Sequence, residues 1–572
     1  MSEDPQADRP PGGHIDAGPD HGPGGAASKL ERLERRRAEA SDALEHAGGL
    51  TPGAVARVAE ELEDSEARLY GVASFYNLLA RPDVRLRVCT GLSCRLAGAD
   101  ELLSAAREAG LPCEGTSCLA ACDRAPAVLD GRTTLPDVTP ADIGAIDGDA
   151  PLVPASPRVT VEEGLVHWTG EVGAYDGPLV FDLAGGERDQ GAALARAAEL
   201  GPEGVFDQLE AAGLQGRGGA GFPAHVKWRA VAGQPETERF VVLNADESEP
   251  GTFKDRELLL RRPDLVVAGL AIAARAVGAG AVYLYLRGEF AVPRRRIDRT
   301  IAAFRAAGHL GELAFHVHEG QGAYICGEET ALLEALEGKR GMPRLKPPFP
   351  VEVGLFGKPT LIHNVETIAA VPFVLTEGGA AFRELGRGEP GTRLYSLSGH
   401  VARPGVYELP LGVLLDELVA AAGGYLGTPR AFSPGGASSG FLPITERERP
   451  LDMKHLGEAG TMLGSAGVVV LNDTVDLRWS ALEQLRFFED ESCGQCAPCR
   501  IGTRYLRDAV DRQIAGTRLS NGEDPLAHVD DAAWQMAEGS ICGLGQIAAL
   551  PLTSARQHFP EDFRAFDEEP RP

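Results

Sequence analysis

At 572 residues the chain is too long for one core, and a scale of about 150 residues per domain suggests three to five units. Hydrophobic residues make up 43%, enough for buried cores, while a net charge of -27 repels phosphate backbones and sets nucleic acid aside as a partner. The most apolar stretch, Leu265 to Leu286, is broken by Arg275, Gly278 and Gly280 and reads as a buried helix then a strand, with no direct membrane insertion.

Residues 1–29 open without the basic start and apolar run of a secretory signal, which places the chain in the cytoplasm. Their Pro and Gly content cannot repay the entropy of ordering, so a disordered tail is expected. Residues 30–82 carry helical periodicity in pieces, one opened by Thr51 as N-cap with Pro52 first in the helix, and imply a small helical bundle. Over 83–150 a strand runs through VRLRV into Cys89, a helix follows at Asp100 to Ala109, and AVLDG forms a further strand and turn. A hard-to-classify linker, 151–190, leads into 191–388, where the strands FVVLNA and VYLYL alternate with helices as in an α/β layered domain. TRLYSLSGHV, PGVYELP and GVVVLND, with a helix at Leu411 to Ala422, make 389–473 a small α+β module. The remainder, 474–572, is mostly helical.

Ten cysteines in a reducing compartment point to metal ligands more than to disulfides. Eight fall into two sets. Cys493, Cys496 and Cys499 form a CxxCxxC run, and Cys542 follows after 42 intervening residues. One tight loop serving three corners and a distant element serving the fourth is how a 4Fe-4S cube is held, whereas structural zinc more often uses two separated CxxC pairs. Cys89, Cys94, Cys118 and Cys122 supply four thiolates in CxxxxC and CxxxC pairs, which suits a 2Fe-2S rhomb or a zinc site. Cys113 and Cys326 read as core thiols, and Trp228 and Tyr285 as packing.

GRGGAGFPAHVKW holds Gly216, Gly218 and Gly221 in GxGxxG spacing, but it follows a helix (VFDQLEAAGL), not the strand a dinucleotide fingerprint requires. By itself it is a glycine turn. FVVLNADESEPGTFKDRE ends a strand in Asn244, Asp246, Glu247 and Glu249, and GAYICGEETALLEALEG opens a helix with Glu328 and Glu329.

These segments, with RLKPPFP, GKPTLIHNVET, ESCGQCAPCR and SICGLG in the same order, resemble the NADH-binding flavoprotein subunit of respiratory complex I and its relatives in NAD-reducing hydrogenases and NAD-dependent formate dehydrogenases. The front, LYGVASFYNLL with Cys89, Cys94 and CLAACDRAP, is similar to the thioredoxin-like 2Fe-2S subunit of the same complexes, here fused to its neighbour. The resemblance implies a multidomain α/β protein: a helical bundle with a thioredoxin-like 2Fe-2S domain, a Rossmann-like FMN and NADH domain, a ubiquitin-like module and a C-terminal helical 4Fe-4S bundle. The span of 23 residues between Cys94 and Cys118 is short for the thioredoxin-like unit and allows for one strand fewer.

It also implies FMN held by Gly216, Arg217, Gly218, Lys227, Asn244 and Asp246, with Glu247, Tyr324, Gly327, Glu328 and Asn364 completing the cradle. Phe222, Lys227, Glu249, Glu329 and Phe349 match positions that line the nicotinamide and adenosine pockets, and Glu329 and Glu249 are the expected catalytic carboxylates. Ser248 and Leu544 match further cofactor-side positions. His363 stands where relatives carry the first of two asparagines. The function implied is a diaphorase: hydride exchange between NAD(H) and FMN, and single electrons exchanged with 4Fe-4S and 2Fe-2S clusters. The partners implied are other iron-sulfur and catalytic subunits of a formate dehydrogenase, hydrogenase or complex I type. A second reading, an electron-relay or scaffold subunit that has lost flavin, rests on His363 alone.

Overall fold

The computed structural model describes residues 36–146, 150–162 and 165–564. The tail expected over 1–29, and the first residues of the bundle, lie outside the described residues.

The front bundle comprises α1 (Ala40–His46), α2 (Ala54–Leu62) and α3 (Glu66–Ala73). Its second helix starts later than Thr51 suggested. Gly53 is the N-cap at φ 79, a left-handed value glycine adopts without penalty, and the Thr51 hydroxyl donates back to the Ala47 carbonyl (3.4 Å). The next unit is a mixed sheet in the order β2-β1-β3-β4, built from β1 (Leu86–Cys89), β2 (Cys113–Thr116), β3 (Val128–Asp130) and β4 (Thr133–Leu135). The short span between Cys94 and Cys118 therefore loses no strand, since it holds both α4 (Ala99–Glu108) and β2. Within the stretch expected as a linker, β5 (Thr160–Glu162) and β6 (Leu165–His167) form a hairpin, and β7 (Val172–Ala174) leaves to join a sheet elsewhere.

The central domain begins with α5 (Gly191–Ala212) and α6 (Ala224–Ala232) and is organised on four parallel strands in the order β10-β9-β8-β11. From β8 (Phe240–Ala245) the chain passes through α7 (Lys254–Arg261) and α8 (Pro263–Val277) to β9 (Ala281–Leu286). It continues outward through α9 (Ala291–Ala306) to β10 (Ala314–Glu319), then returns by α10 (Glu329–Leu336) to β11 (Thr360–Asn364) on the other side of β8. The strand order therefore reverses between β8 and β11, and their carboxyl ends open the crevice where such sheets bind ligands. Helix α8 buries every side chain except Arg275, and apart from Asp264 and Arg275 its sequence is apolar all round. It crosses α11 (Val365–Ala369) at Gly269, where a Cβ would lie 2.2 Å from the Ile368 carbonyl oxygen.

The module after it contains β12 (Thr392–Gly399), β13 (Gly405–Pro410), β14 (Pro429–Ser433), β15 (Leu442–Pro443) and β16 (Gly467–Asn472). They form one sheet in the order β15-β14-β16-β12-β13-β7, so the supposed linker supplies its edge strand. Buried Glu408 fixes that arrangement by accepting the backbone N–H groups of Val180 (2.6 Å) and Asp182 (3.0 Å). The C-terminal unit is helical: α12 (Leu477–Asp490), α13 (Ala497–Ile514), α14 (Val529–Gly539), α15 (Gly543–Ile547) and α16 (Leu550–His558). Among the described residues no helix is long and apolar enough to cross a membrane.

Candidate functional site: a crevice between two sets of thiols

Asn244 and Asn364 are register partners at the carboxyl ends of β8 and β11, so 120 positions of separation collapse to adjacent strands. The Asn244 amide donates to the Gly327 carbonyl (2.8 Å), tying β8 to the turn before α10. Asn364 caps α11 by accepting from Glu366 N–H (2.9 Å) and donates to Asp255 (2.5 Å). Over this floor lies the glycine loop, closed by the Gly216 N–H donating to the Phe222 carbonyl (2.8 Å). A Cβ on Gly218 would come to 3.2 Å from that of Asn364, and Gly221 has φ +64, so bare backbone is needed twice here.

One wall carries interlocked charges. Lys227 Nζ is 3.1 Å from Glu329, and Lys346 is 2.9 Å from Glu328 and 3.4 Å from Glu329. Burial by itself would raise Glu329, but the two lysines outweigh it and hold the carboxyl below its ordinary value. Phe222 and Phe349 are each 49% exposed, large apolar rings offered to solvent at the sequence positions matched to nucleotide contact. Asp246 is pushed up to about 8 by burial, with Glu289 and Glu491 adding to it and Arg287 opposing it. Ser248 donates to Asp246 (3.3 Å).

Several expected cofactor contacts have internal work. Arg217 turns its guanidinium into the core, onto Glu366 (2.9 Å) and the Thr392 carbonyl, leaving only its backbone on the loop. Glu247 caps α7 by accepting the N–H groups of Asp255 (2.7 Å) and Arg256 (2.8 Å), and Glu328 caps α10 through Thr330 and Ala331 N–H. Glu249 accepts from the Tyr324 hydroxyl and from Ser438 N–H (2.7 Å), so this expected catalytic carboxylate joins the central domain to the β12–β16 sheet. His363 is buried, and burial, then Lys227, holds it well below its ordinary value, so the ring is neutral. Its Nε2 accepts from Trp228 Nε1 (2.8 Å), which leaves the ring proton on Nδ1. Trp228 is therefore more than packing.

The four N-terminal thiols lie in one buried row. Cys118 and Cys122 Sγ are 3.7 Å apart, and Cys89 is within hydrogen-bond reach of both Cys118 and Cys94. The C-terminal thiols gather at helix starts: Cys496 precedes α13, Cys499 lies in its first turn and Cys542 precedes α15. Cys542 Sγ accepts backbone N–H groups from Leu544 and Gly545, the contact that Leu544 makes. Burial pushes Cys499 up to about 12 and Cys542 up to about 11, so each thiol needs a bound cation to become a thiolate. Among the described residues no three His, Cys, Asp or Glu side chains close around one point as a single ion demands. A cluster spreads its thiolates over several irons, and in thiol number both sets fit that chemistry, the N-terminal one fully buried and the C-terminal one partly exposed at Cys493 and Cys496.

Residue reasoning on the sequence missed the groups that join these parts. Lys254, fully buried, lies 2.7 Å from Asp255 and 3.0 Å from Glu366. Burial would raise Glu366, but Arg393, Lys254 and Arg217 hold it down to about 2. Glu491 accepts Tyr324 N–H (2.8 Å) and the Ser117 hydroxyl, so the residue two before Cys493 touches both the crevice and the loop of Cys118. Lys254, Glu366 and Glu491 all lie inside segments quoted for the resemblance, GTFKDRE, IHNVET and ESCGQCAPCR, but nothing local says what they touch.

Family models match along most of the chain: the thioredoxin-like [2Fe-2S] ferredoxin over 40–147, the Nuo51 FMN-binding domain over 209–373, the SLBB domain over 394–442 and the NADH-ubiquinone oxidoreductase-F iron-sulfur binding region over 480–566. The F 2 subunit of the NADH-quinone oxidoreductase of Rhizobium meliloti (strain 1021) is 43% identical over 411 residues, 69% of this chain and 96% of that protein. The corresponding F subunit of Mycobacterium tuberculosis (strain ATCC 25618 / H37Rv) is 42% identical over 388 residues, 65% of this chain and 86% of its own. Among solved structures, an NAD+-reducing [NiFe]-hydrogenase in the air-oxidized state superposes with a TM-score of 0.83 at 32% identity, covering 94% of this chain and 96% of its own.

Proposed function

The chain belongs to the family of NADH-quinone oxidoreductase F subunits, and from that premise we propose that it is a diaphorase subunit of a larger redox complex, exchanging hydride between NAD(H) and FMN and single electrons with one 4Fe-4S and one 2Fe-2S cluster. Bound FMN supplies the exchange between two-electron and one-electron chemistry, and the clusters carry the single electrons. Asn244, Asn364 and the bare backbone of Gly216 and Gly218, which meet at the strand-order reversal, would hold the flavin. Phe222 and Phe349 give the nucleotide rings a stacking face and keep water off them. Lys227 and Lys346 keep Glu329 ionised, ready to accept a hydroxyl or carboxamide hydrogen bond from the nucleotide.

The observation that carries this reading is Glu491. One carboxylate accepts from the crevice at Tyr324 and from the Cys118 loop at Ser117, and sits two residues before Cys493. Through Glu491, residues that would hold a flavin at the β8–β11 crevice are joined to the loop of Cys118 and to the segment leading into Cys493. The match to an FMN-binding domain over 209–373 favours the reading with flavin over the reading without it, which rested on His363 alone.

We take the partners to be the iron-sulfur and catalytic subunits of a hydrogenase or formate dehydrogenase type. The hydrogenase neighbour matches the fused front as well as the rest, whereas the NADH-quinone oxidoreductase relatives leave about a third of this chain uncovered. The test uses the full chain loaded with FMN and clusters. NADH should bleach the flavin band and drive reduction of ferricyanide, while formate and hydrogen should do neither. Absence of NADH-driven bleaching in flavin-loaded protein overturns the proposal.

A further inference from the structure

The loop from Cys118 to Asp123, which carries two of the four N-terminal thiols, is gripped by the neighbouring domain. Arg256, in the first turn of α7, donates to the Ala120 carbonyl and to both oxygens of Asp123 (3.0 and 2.9 Å). Arg287, directly after β9, donates to the Cys118 carbonyl (2.8 Å), to the Glu247 carbonyl (2.6 Å) and to Glu289 (2.9 Å). Both arginines are at most 4% exposed.

Their charges are not equivalent. Arg256 is matched by two carboxylates, Asp123 and Glu257, both ion-paired to it at 2.9 Å. Arg287 pairs with one, Glu289, at 2.9 Å. Besides Glu289, its positive charge is felt by the Cys118 thiol, by the crevice carboxyl of Asp246 and by Glu491. Buried charges of this kind are poorly screened by salt, and a guanidinium cannot lose its proton to escape.

We propose that Arg287 is an electrostatic positioning residue, placed between the crevice and the N-terminal thiols, that raises the reduction potential of the 2Fe-2S cluster and so makes it an acceptor for electrons leaving the crevice, with Glu289 as its counterweight. This rests on the reading of Cys89, Cys94, Cys118 and Cys122 as a 2Fe-2S site. The step concerned is one electron from the NADH-reduced flavin to the oxidised cluster, with no bond made or broken at the arginine. The cluster gains one negative charge, which a fixed cation stabilises and a fixed anion opposes. Hydrogen bonding to the Cys118 carbonyl acts in the same direction, since it withdraws electron density from the ligand's own residue.

The sign of the effect separates this role from loop anchoring. Arg287→Gln removes a cation and strands Glu289, so the 2Fe-2S midpoint should fall, by roughly 59 mV if reduction becomes tenfold less favourable in this one-electron couple. Glu289→Gln removes an anion and should raise the midpoint. Arg287→Lys keeps the charge but not the fork, so its shift should be smaller than that of Arg287→Gln. The measurement is a potentiometric titration of the 2Fe-2S electron paramagnetic resonance signal in the full, cofactor-loaded chain, with the 4Fe-4S signal of the same samples as the internal reference. Opposite shifts in Arg287→Gln and Glu289→Gln, with the 4Fe-4S midpoint unmoved, are the expected result. Shifts in the same direction, or none, overturn the inference. Where Arg287→Gln fails to hold the cluster, Glu289→Gln decides, and an unmoved midpoint counts against it. A wild-type chain with no 2Fe-2S signal overturns the underlying reading of the four thiols instead.

Discussion

The two sets of thiols are housed in opposite ways. Cys89, Cys94, Cys118 and Cys122 are all at most 4% exposed, whereas Cys493 and Cys496 reach partly to solvent beside buried Cys499 and Cys542. The N-terminal set is enclosed by a neighbouring domain, through Arg256 and Arg287 on its loop and Pro250 near Gly91. The C-terminal set is held by its own unit, at the starts of α13 and α15. The contrast separates a set of thiols gripped by a neighbouring domain from a set reached in part by solvent, and each housing can be broken separately.

The largest expected effect tests whether the two sites are independent. Cys542→Ser substitutes a harder oxygen for sulfur and should abolish the 4Fe-4S signal, taking iron from about six to about two per chain. The 2Fe-2S signal and NADH bleaching of the flavin should survive. Loss of both signals together would mean the two housings are one cooperative structure. The enclosed site should break from the other direction. Arg256→Ala leaves Asp123 buried without its ion-pair partner and Glu257 with Arg261 alone, a defect of about 3–5 kcal/mol, and the thermal unfolding midpoint should fall with loss of the 2Fe-2S signal first. Retention of the 2Fe-2S signal at wild-type stability would show that the clamp is not what encloses that set.

How much of this could be read from residues alone follows the same contrast. The open set was legible because three of its thiols lie in one short run and their helix starts are local features. For the enclosed set the thiols could be named, but not the grip. Arg256 lies inside the NADESEPGTFKDRE segment and Arg287 inside LYLRGEF, yet nothing local says that both reach back more than 130 positions to residues 118–123. The crevice shows an intermediate case. Asn244 and Asn364 were named from resemblance, and their adjacency depends on β11 returning beside β8, a matter of topology. Arg217 was named from resemblance as well, and the inward course of its guanidinium onto Glu366, 149 positions away, has no local signal. The edge strand β7 was missed because three residues, Val172–Ala174, carry too little alternation to register.

A change confined to the crevice asks whether either thiol set depends on it. Glu329→Gln removes the carboxylate that pairs Lys227 and Lys346, and should weaken the NADH reaction by about 1–3 kcal/mol in kcat/KM while FMN and both cluster signals remain. The pH dependence has a definite sign. The folded-state value of Glu329 is depressed, so its contribution to stability is present above the ordinary glutamate value of about 4.3 and is lost as pH falls through the lower folded value. Wild type and Glu329→Gln should therefore converge in stability in acid and diverge near neutrality. Equal NADH turnover in the two proteins sinks the assignment of this residue.

The smallest expected effect comes at the point where the two regions meet. The Ser117 hydroxyl donates to Glu491, joining the loop of the enclosed set to the segment that leads into the open one. Ser117→Ala deletes that single bond, but Glu491 keeps Tyr324 N–H (2.8 Å), and the loop keeps Arg287 on Cys118 and Arg256 on Ala120 and Asp123. With several anchors remaining, the loss should be about 1 kcal/mol, a shift of a few degrees at most in the unfolding midpoint. Amide hydrogen exchange should quicken at residues 115–118 while α13 is unchanged, because only the enclosed side has lost a tether. A broadened or missing 2Fe-2S signal in Ser117→Ala would mean that Glu491, and not the two arginines, holds the loop, and the enclosed and open sites would then share their principal support.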